Sequence, residues 1–353
     1  MGQEKMLMKG NEAIAEAAIQ AGCRFFFGYP ITPQNQIPEY MSQRMPKEGG
    51  CYLQAESEVA AINMVYGAAG AGARVMTSSS SPGISLKQEG ISYIVGAELP
   101  CVIVNMVRGG PGLGSIQPAQ SDYFQSTRGG GHGDYRMVVF APASVQEAVE
   151  LTQLAFDVAD RYRNPVMVMG DGLIGQMMEP VQMPDYTPAT DLPDKSWAAG
   201  AKKERAVINS LFIDPTVLEK HNLKLQQKYD LMEQNEVRVQ SELVEDADYV
   251  LVAYGTTARI ARSAMRKARS EGLKVGLIRP ITVWPFPDKA IQEAAAHAKA
   301  FLTVEMSLGQ MVEDVRLAAN GAKPVHFFGR TGGMVPSVRE ILDQLHQISM
   351  EVK

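Results

Sequence analysis

A short loop that could contact a ligand follows the first apolar strand the sequence predicts. Residues 29–33 read Tyr-Pro-Ile-Thr-Pro, directly after the apolar residues 23–27. The two prolines restrict the backbone of this turn. Thr32 has the type and position of a helix N-cap, with Pro33 at the first helical position. The loop therefore predicts either a helix cap alone or a polar group presented to a ligand.

Two carboxylates, Glu56 and Glu58, stand at the start of a predicted helix over residues 58–70. Acids in a first helical turn interact favourably with the helix dipole, and a solvated turn explains Glu56. Glu58 differs, because the apolar residues 59–62 follow it and the helix is apolar on nearly every face. A carboxyl group there is predicted to be buried, which makes Glu58 a candidate for proton transfer.

A lone arginine, Arg108, follows the apolar run 101–107 and precedes a loop rich in glycine and proline over residues 109–115. Glycines let a backbone approach a ligand, and a guanidinium group can bind a carboxylate through two parallel hydrogen bonds. The alternative is a surface arginine in a flexible loop. The glycine spacing is a poor dinucleotide motif, because Pro111 interrupts it and no helix with a ribose-binding acid clearly follows.

The elements that must position these groups alternate along the first half of the chain. The predicted elements are helices over residues 10–21, 58–70, 85–96 and 144–161, and strands over 23–27, 74–77, 101–107 and 165–170. Such alternation is typical of a parallel α/β sheet. Because ligands bind at the carboxyl ends of parallel strands, we expect the three loops to share one edge of the sheet.

The middle of the chain differs in character. Residues 178–200 are rich in proline and have little periodicity, which predicts a linker. Residues 214–242 are polar, and the spacing of Leu218, Leu223, Leu225 and Tyr229 predicts a surface helix across a domain junction.

From residue 249 the α/β pattern resumes. Strands over 249–254 and 274–278 flank a turn at 255–257 and a helix that ends near residue 270. A chain of 353 residues exceeds the size at which one core stops growing. We therefore expect one α/β domain over residues 1–180, a linker and bridging helix over 181–245, and a second α/β domain over 246–353.

Composition excludes several functions. A net charge of -5 lacks the basic excess that nucleic-acid binding needs. The three cysteines, Cys23, Cys51 and Cys101, form no C-x-x-C pair and the five histidines show no metal spacing, so we expect core cysteines, no iron-sulfur cluster and no metal site. No apolar run approaches the roughly 20 residues that span a bilayer. Residues 1–6 lack the apolar core of a signal peptide, so a cytoplasmic location with no membrane partner is expected.

The three loops, in this order and spacing, resemble the alpha chain of the thiamine diphosphate-dependent 2-oxoacid:ferredoxin oxidoreductases. The string Tyr-Pro-Ile-Thr-Pro at residues 29–33 is the family's most recognisable one, and the run 108–123 is most similar to the 2-oxoisovalerate (branched-chain) members. The resemblance covers essentially the full chain. It implies a thiamine diphosphate-binding α/β fold, with a pyrimidine-type domain whose parallel sheet has flanking helices, followed by a domain like the C-terminal domain of transketolases.

The resemblance also implies roles for individual residues. Glu58 matches the glutamate that contacts N1' of the cofactor's aminopyrimidine, and Tyr29, Pro30, Ile31 and Thr32 match the cofactor-binding loop. The Thr32 hydroxyl would face substrate and cofactor. Arg108 matches the arginine that binds the substrate carboxylate. The implied reaction is oxidative decarboxylation of a 2-oxoacid with CoA and ferredoxin, giving acyl-CoA, CO2 and reduced ferredoxin.

One sequence motif suggests that the site is shared between chains. Thiamine diphosphate enzymes anchor Mg2+ and diphosphate with Gly-Asp-Gly followed by Asn about 30 residues later. Here Gly170-Asp171-Gly172 is followed by Asn209, which is too distant, so we interpret this motif as a turn. The resemblance then implies that thiamine diphosphate is shared with a beta chain that holds diphosphate and Mg2+.

The same resemblance implies further partners. Iron-sulfur clusters would lie on other chains, including a ferredoxin-like delta chain, and a gamma chain would contact CoA. The same chemistry on 2-oxoglutarate or pyruvate stays open as an alternative. A non-catalytic assembly subunit is the alternative from a different class.

Overall fold

A computed structural model of the chain describes residues 5–200 and 205–351. The expectations that concern residues 1–4, 201–204 and 352–353, at the two chain ends and inside the predicted linker, lie outside the described residues.

Strands and helices alternate along most of the described chain. In chain order the strands are β1 (Met6–Lys9), β2 (Phe25–Gly28), β3 (Cys51–Gln54), β4 (Val75–Ser79), β5 (Cys101–Val107), β6 (Val138–Phe140), β7 (Pro165–Asp171), β8 (Met178–Val181), β9 (Val239–Glu242), β10 (Tyr249–Val252), β11 (Val275–Pro280), β12 (Thr282–Trp284), β13 (Ala300–Glu305) and β14 (Val325–Gly329). The α-helices are α1 (Gly10–Gln20), α2 (Gln36–Arg44), α3 (Glu58–Gly70), α4 (Pro82–Gly96), α5 (Val145–Tyr162), α6 (Gly172–Gln176), α7 (Pro215–Asn235), α8 (Gly255–Ser270), α9 (Asp288–Ala295), α10 (Met311–Ala319) and α11 (Val338–Glu351).

The larger sheet has seven strands in the order β12-β6-β7-β5-β4-β2-β3. Its strands are parallel except for β12, which pairs antiparallel with β6. Every residue of β5 and β7 is buried, because helices cover both faces of the sheet. The predicted parallel α/β sheet is confirmed, with strand ends displaced by up to two residues from the predicted ones.

The second sheet has five strands in the order β14-β13-β10-β11-β9. Strand β9 is antiparallel to β11, and the other pairs are parallel. Helices α8 and α11 pack their buried alanine, isoleucine and leucine side chains on this sheet. The strand β12 leaves this half of the chain and extends the larger sheet, which ties the two halves together.

Three local predictions need correction. The prediction that residues 178–200 form a linker is wrong for its first four, which form β8 and pair antiparallel with β1. The predicted helix over 214–242 ends at Asn235, and β9 follows it. The predicted turn at 255–257 is the first turn of α8. The division at residues 180 and 245 stays a prediction.

The side chain and backbone of Gln120 form hydrogen bonds between the two halves of the chain. Its side chain donates to Tyr254 O (2.9 Å) and accepts from Thr257 Oγ1 (2.7 Å) and Met306 N (3.0 Å). Its backbone N–H donates to Met306 O at 2.8 Å. Gln120 is buried, so these bonds form in a setting where an unpaired partner is costly.

Candidate active site

The predicted site residues follow four neighbouring strands of the larger sheet. Residues 29–33 follow β2, Glu58 follows β3, a run of serines ends β4, and Arg108 follows β5. The strand order β5-β4-β2-β3 places these four loops side by side at the carboxyl edge. The prediction that the three loops share one edge is confirmed, with the serine run between them.

The loop at residues 29–33 forms a turn and does not cap a helix. Helix α2 begins only at Gln36, and the turn is closed by Gln34 N donating to Ile31 O at 3.1 Å. The predicted N-cap role of Thr32 is therefore wrong. The Thr32–Pro33 peptide bond is cis, and Asn11 Nδ2 donates to Pro33 O at 2.8 Å.

The loop is attached to the rest of the edge through Gln34. Its buried amide donates to Tyr29 O at 3.3 Å and accepts from Ser78 Oγ at the end of β4. Tyr29 and Pro30 are exposed, whereas Ile31 and Thr32 are half-buried. The Thr32 hydroxyl accepts only a long bond, 3.4 Å, from Asn35 Nδ2. The loop therefore presents its outer residues to the space beyond the sheet.

Glu58 is buried, as its apolar surroundings in the sequence predict, whereas Glu56 is exposed. Glu58 is the first residue of α3, and Ser57 caps this helix by accepting a hydrogen bond from Ala60 N at 3.2 Å. No described residue donates a hydrogen bond to the Glu58 carboxylate. A Cβ on Gly83 of α4 would stand 2.7 Å from Glu58 Oε1 and 2.0 Å from Ser79 Oγ. The missing side chain of Gly83 thus leaves the space in which these two groups meet.

Arg108 is buried and connects two loops. Its Nη1 donates to Thr32 O at 3.1 Å and its Nη2 to Leu113 O at 3.0 Å. Its Nε is buried and has no partner among the described residues. The alternative of a surface arginine in a flexible loop is therefore wrong. The structure brings Thr32 and Arg108 together and places Glu58 beyond the β4 serines.

A polar network that the sequence analysis did not identify binds the backbone of Arg108. Ser81 Oγ accepts from Arg108 N (3.1 Å) and donates to Asp122 Oδ2 (2.7 Å), which also accepts from Asn105 Nδ2 (2.9 Å). Burial raises the pKa of Asp122, and the bonds from Asn105 and Ser81 oppose that rise. Ser81 holds a positive φ of 21°, an uncommon backbone conformation for serine.

Two further serines and a lysine lie beside the site. Ser79 Oγ and Ser80 Oγ are buried without a partner among the described residues. Lys87 of α4 is fully buried, and its Nζ donates to Thr77 Oγ1 at 2.6 Å. Burial lowers the pKa of Lys87 to about 7, and the negative charge of Glu58 opposes this shift. The sequence signal for the serines was present, because four serines follow a predicted strand.

The Asp171 carboxylate forms its hydrogen bonds within this chain. Its Oδ1 accepts from Leu173 N (2.9 Å), Ile174 N (3.1 Å) and Thr256 Oγ1 (3.0 Å). Burial raises its pKa and these bonds oppose the rise. Asp171 thus ends β7, caps α6 and contacts the second half of the chain, so residues 170–172 form a strand-to-helix junction and the predicted turn is wrong.

Residues 5–200 and 205–351 contain neither a metal-binding cluster nor a membrane-spanning helix. Within these ranges no group of three His, Cys, Asp or Glu side chains is arranged to hold a metal ion. The helices of the same ranges are all too short or too polar to cross a bilayer. Cys23 and Cys101 are buried, which raises the pKa of each thiol to about 12, and Cys51 is half-buried against the same core.

Comparison with known families accounts for this arrangement of loops. Residues 16–246 match the thiamine diphosphate-binding domain of pyruvate flavodoxin/ferredoxin oxidoreductases, and residues 247–341 match core domain II of pyruvate:ferredoxin oxidoreductase. The chain belongs to this family of oxidoreductases. The predicted family and the predicted fold class are both confirmed.

Individual relatives give a finer comparison. The ketoisovalerate oxidoreductase subunit VorB of Methanothermobacter thermautotrophicus is 51% identical over 97% of this chain and 97% of its own. The 2-oxoglutarate synthase subunit KorA of the same organism is 38% identical over 97% of this chain and 98% of its own. The similarity therefore extends over essentially the whole of both relatives.

Two solved structures have the same fold. A 2-oxoglutarate:ferredoxin oxidoreductase from Magnetococcus marinus, with 2-oxoglutarate, coenzyme A and succinyl-CoA bound, has a TM-score of 0.87 at 28% identity. The match covers 98% of this chain and 65% of that chain. A split-gene transketolase in an inactive beta4 tetramer has a TM-score of 0.63 at 14% identity, over 98% of this chain and 99% of that chain. The second likeness shows the fold alone.

Proposed function

We propose that this chain is the alpha subunit of an oxidoreductase that oxidatively decarboxylates 2-oxoisovalerate with CoA and ferredoxin. The products are an acyl-CoA, CO2 and reduced ferredoxin. The observation that carries the proposal is the 51% identity to a ketoisovalerate oxidoreductase subunit over nearly the whole chain. The lower identity of 38% to a 2-oxoglutarate synthase subunit favours the branched-chain substrate over 2-oxoglutarate.

The carboxyl edge of the larger sheet fits the pyrimidine part of thiamine diphosphate. Ser79 Oγ and Ser80 Oγ are buried and unpartnered within the described chain, which is unfavourable unless a ligand pairs with them. Gly83 leaves room beside the Glu58 carboxylate that any larger residue would fill. When bound, thiamine diphosphate supplies the carbon nucleophile and the electron sink that decarboxylation of a 2-oxoacid needs.

Glu58 holds and exchanges a proton at the ring nitrogen N1'. Its carboxylate is buried and receives no hydrogen bond from a described residue, so it is available to one ring nitrogen. Tyr29, Pro30, Ile31 and Thr32 would form the wall beside it, and the Thr32 hydroxyl, which is half-buried, would bind substrate and cofactor.

Arg108 binds the carboxylate of the 2-oxoacid. A guanidinium group has five N–H donors, and the described bonds to Thr32 O and Leu113 O use two of them. The remaining donors include the buried Nε. Because the Arg108 guanidinium is bonded to Thr32 O and Leu113 O, its orientation is fixed before substrate arrives.

Partner chains complete the site in this proposal. A beta chain holds the diphosphate and Mg2+, since the Asp171 carboxylate of this chain is already bonded to Leu173, Ile174 and Thr256. A gamma chain contacts CoA, and a ferredoxin-like delta chain carries iron-sulfur clusters toward ferredoxin. The complex works in the cytoplasm, where CoA and ferredoxin are found.

The role of Glu58 is tested by comparing two neighbouring glutamates. The chain is co-expressed anaerobically with its partner chains, and 2-oxoacid- and CoA-dependent reduction of a one-electron acceptor is measured. Glu58→Gln should lower turnover by roughly 10²- to 10⁴-fold, the usual contribution of general acid–base catalysis. Glu56→Gln, in which an exposed carboxylate two residues away is removed, should leave turnover unchanged. Full turnover of Glu58→Gln refutes the catalytic role and favours a non-catalytic assembly subunit.

The substrate is tested on the same complex. We expect the highest kcat/KM with 2-oxoisovalerate among 2-oxoisovalerate, 2-oxoglutarate and pyruvate. A preference for 2-oxoglutarate or pyruvate would refute the substrate and leave the reaction type standing.

A further inference from the structure

Lys87 is a buried cation that the proposed reaction does not use. It lies in α4 with no exposed surface, and Thr77 Oγ1 accepts its one described hydrogen bond. An ammonium group has three donors, and burying it without a counter-charge is strongly unfavourable. At pH values below about 7, where Lys87 carries its proton, the neutral Thr77 hydroxyl cannot balance this charge, and another group must do so.

Two titratable groups face Lys87 from the elements packed against it. They are Glu58 at the start of α3 and Cys101 in β5. The Cys101 thiol is fully buried and its pKa is raised to about 12, so it is uncharged at neutral pH. Among the residues that the structure describes, Glu58 therefore provides the negative charge that acts on Lys87.

Helix α4 and strand β4 link Lys87 to Glu58, because each of them carries two residues on the face where the two elements meet. Gly83 and Lys87 are four residues apart in α4 and so lie on one face of the helix. Thr77 and Ser79 are two residues apart in β4 and so lie on one face of the strand. Lys87 contacts Thr77 at one end of this face. At the other end Gly83 and Ser79 border the Glu58 carboxylate.

We propose that Lys87 is a positioning residue for Glu58, with an ammonium group that balances the charge of the buried carboxylate and holds it in one place. The catalytic consequence rests on the proposed function, whereas the charge balance does not. A half-buried lysine shows the same principle more directly, because Lys228 lies 3.5 Å from the carboxylate of Glu98. Lys87 reaches the same balance without a direct ion pair.

The first experiment measures the coupling between the two residues without any cofactor. Thermal denaturation midpoints of the assembled complex, with no thiamine diphosphate added, are compared at pH 6 for wild type, Glu58→Gln, Lys87→Met and the double variant. Glu58→Gln should lower the midpoint, because the Lys87 ammonium loses its counter-charge. Adding Lys87→Met should then raise it again, by on the order of 2–4 °C for each 1 kcal/mol recovered. Lys228→Met is the matched control and should have the same effect in both backgrounds.

Equal effects of Lys87→Met in the wild-type and Glu58→Gln backgrounds would overturn the proposal. If Lys87→Met does not assemble, Lys87→Gln replaces it, because glutamine keeps a donor for Thr77 and removes the charge. The same recovery is expected with Lys87→Gln.

The second experiment measures the pH dependence of kcat/KM. Because Lys87→Met removes a positive charge beside the site, the acidic limb should move to higher pH in this variant. It should not move in Lys228→Met. An unchanged limb in Lys87→Met overturns the positioning role. Full turnover of Glu58→Gln would refute the proposed function separately, since the thermal coupling does not depend on it.

Discussion

One added methyl group tests the geometry of the site more sharply than removal of a catalytic side chain. Gly83 is the second residue of α4 and is buried. In Gly83→Ala the new Cβ would stand 2.0 Å from Ser79 Oγ and 2.7 Å from Glu58 Oε1. Both contacts are too short, so both side chains must move. The ends of both side chains are flexible, which makes the movement possible without unfolding the helix.

The expected magnitudes separate stability from activity. Alanine in place of glycine in a helix stabilises by about 0.5–1 kcal/mol, and two off-rotamer side chains together cost about 1–3 kcal/mol, so the net loss of stability should lie between about 0 and 2.5 kcal/mol. Glu58 Oε1 must retreat by roughly 0.7 Å to reach the ordinary contact distance of 3.4 Å. A misplacement of about 1 Å can cost on the order of 10²-fold in rate, or about 2.7 kcal/mol.

The assay compares Gly83→Ala with Gly67→Ala in α3. A Cβ on Gly67 would meet nothing within 4 Å, so this helical control carries the same substitution without the clash. Denaturant unfolding and turnover are measured on the assembled complex. Gly67→Ala should keep full turnover, whereas Gly83→Ala should lose roughly 10²-fold in turnover and bind thiamine diphosphate more weakly. Wild-type turnover and cofactor affinity in Gly83→Ala would refute the placement of the cofactor beside Glu58.

Three further outcomes follow from the structure. Arg108→Lys should raise KM for the 2-oxoacid about 10-fold or more in steady-state kinetics. Lysine lacks the planar guanidinium group that can contact Thr32 O and a carboxylate at the same time. Gln120→Leu should lower the free energy of unfolding by about 3 kcal/mol in denaturant titration, since it removes the described partner of buried Thr257 Oγ1 and Met306 N and one of the bonds to Tyr254 O. The folded chain binds fewer protons at Lys87 than the unfolded chain between pH values of about 7 and 10.5, so stability should rise with pH across this window. That rise should be smaller in Lys87→Met, and an equal rise would contradict the lowered pKa of the buried Lys87.

The sequence predicted the features of the site that depend on neighbouring residues alone. Arg108 stands at the end of a seven-residue apolar run, and Glu58 stands at the start of an apolar helix. Both positions are fixed by the local alternation of strand and helix. Because parallel strands end at one edge, loops far apart in sequence could be placed together without knowing any contact between them.

The partners of these residues depend on contacts that no local pattern contains. Asp122 reaches Ser81 across 41 positions, and its own surroundings predict only a loop. Lys87 occupies an ordinary helical position, and only the packing of α4 against β4 buries it. The N-cap prediction for Thr32 failed for a related reason. The sequence shows the residue types of a cap, whereas the turn closed by Gln34 delays the helix to Gln36.

The buried polar groups divide according to whether the chain itself satisfies them. Gln120 and Asp171 form hydrogen bonds between the two halves of the chain. At the carboxyl edge Ser79 Oγ, Ser80 Oγ and Arg108 Nε have no partner among the described residues, and no described donor reaches the Glu58 carboxylate. Leaving such groups unpaired destabilises the chain by itself. Ser79 Oγ and the Glu58 carboxylate border the space left by Gly83, so a ligand in the proposed site would supply the partners that the chain itself does not.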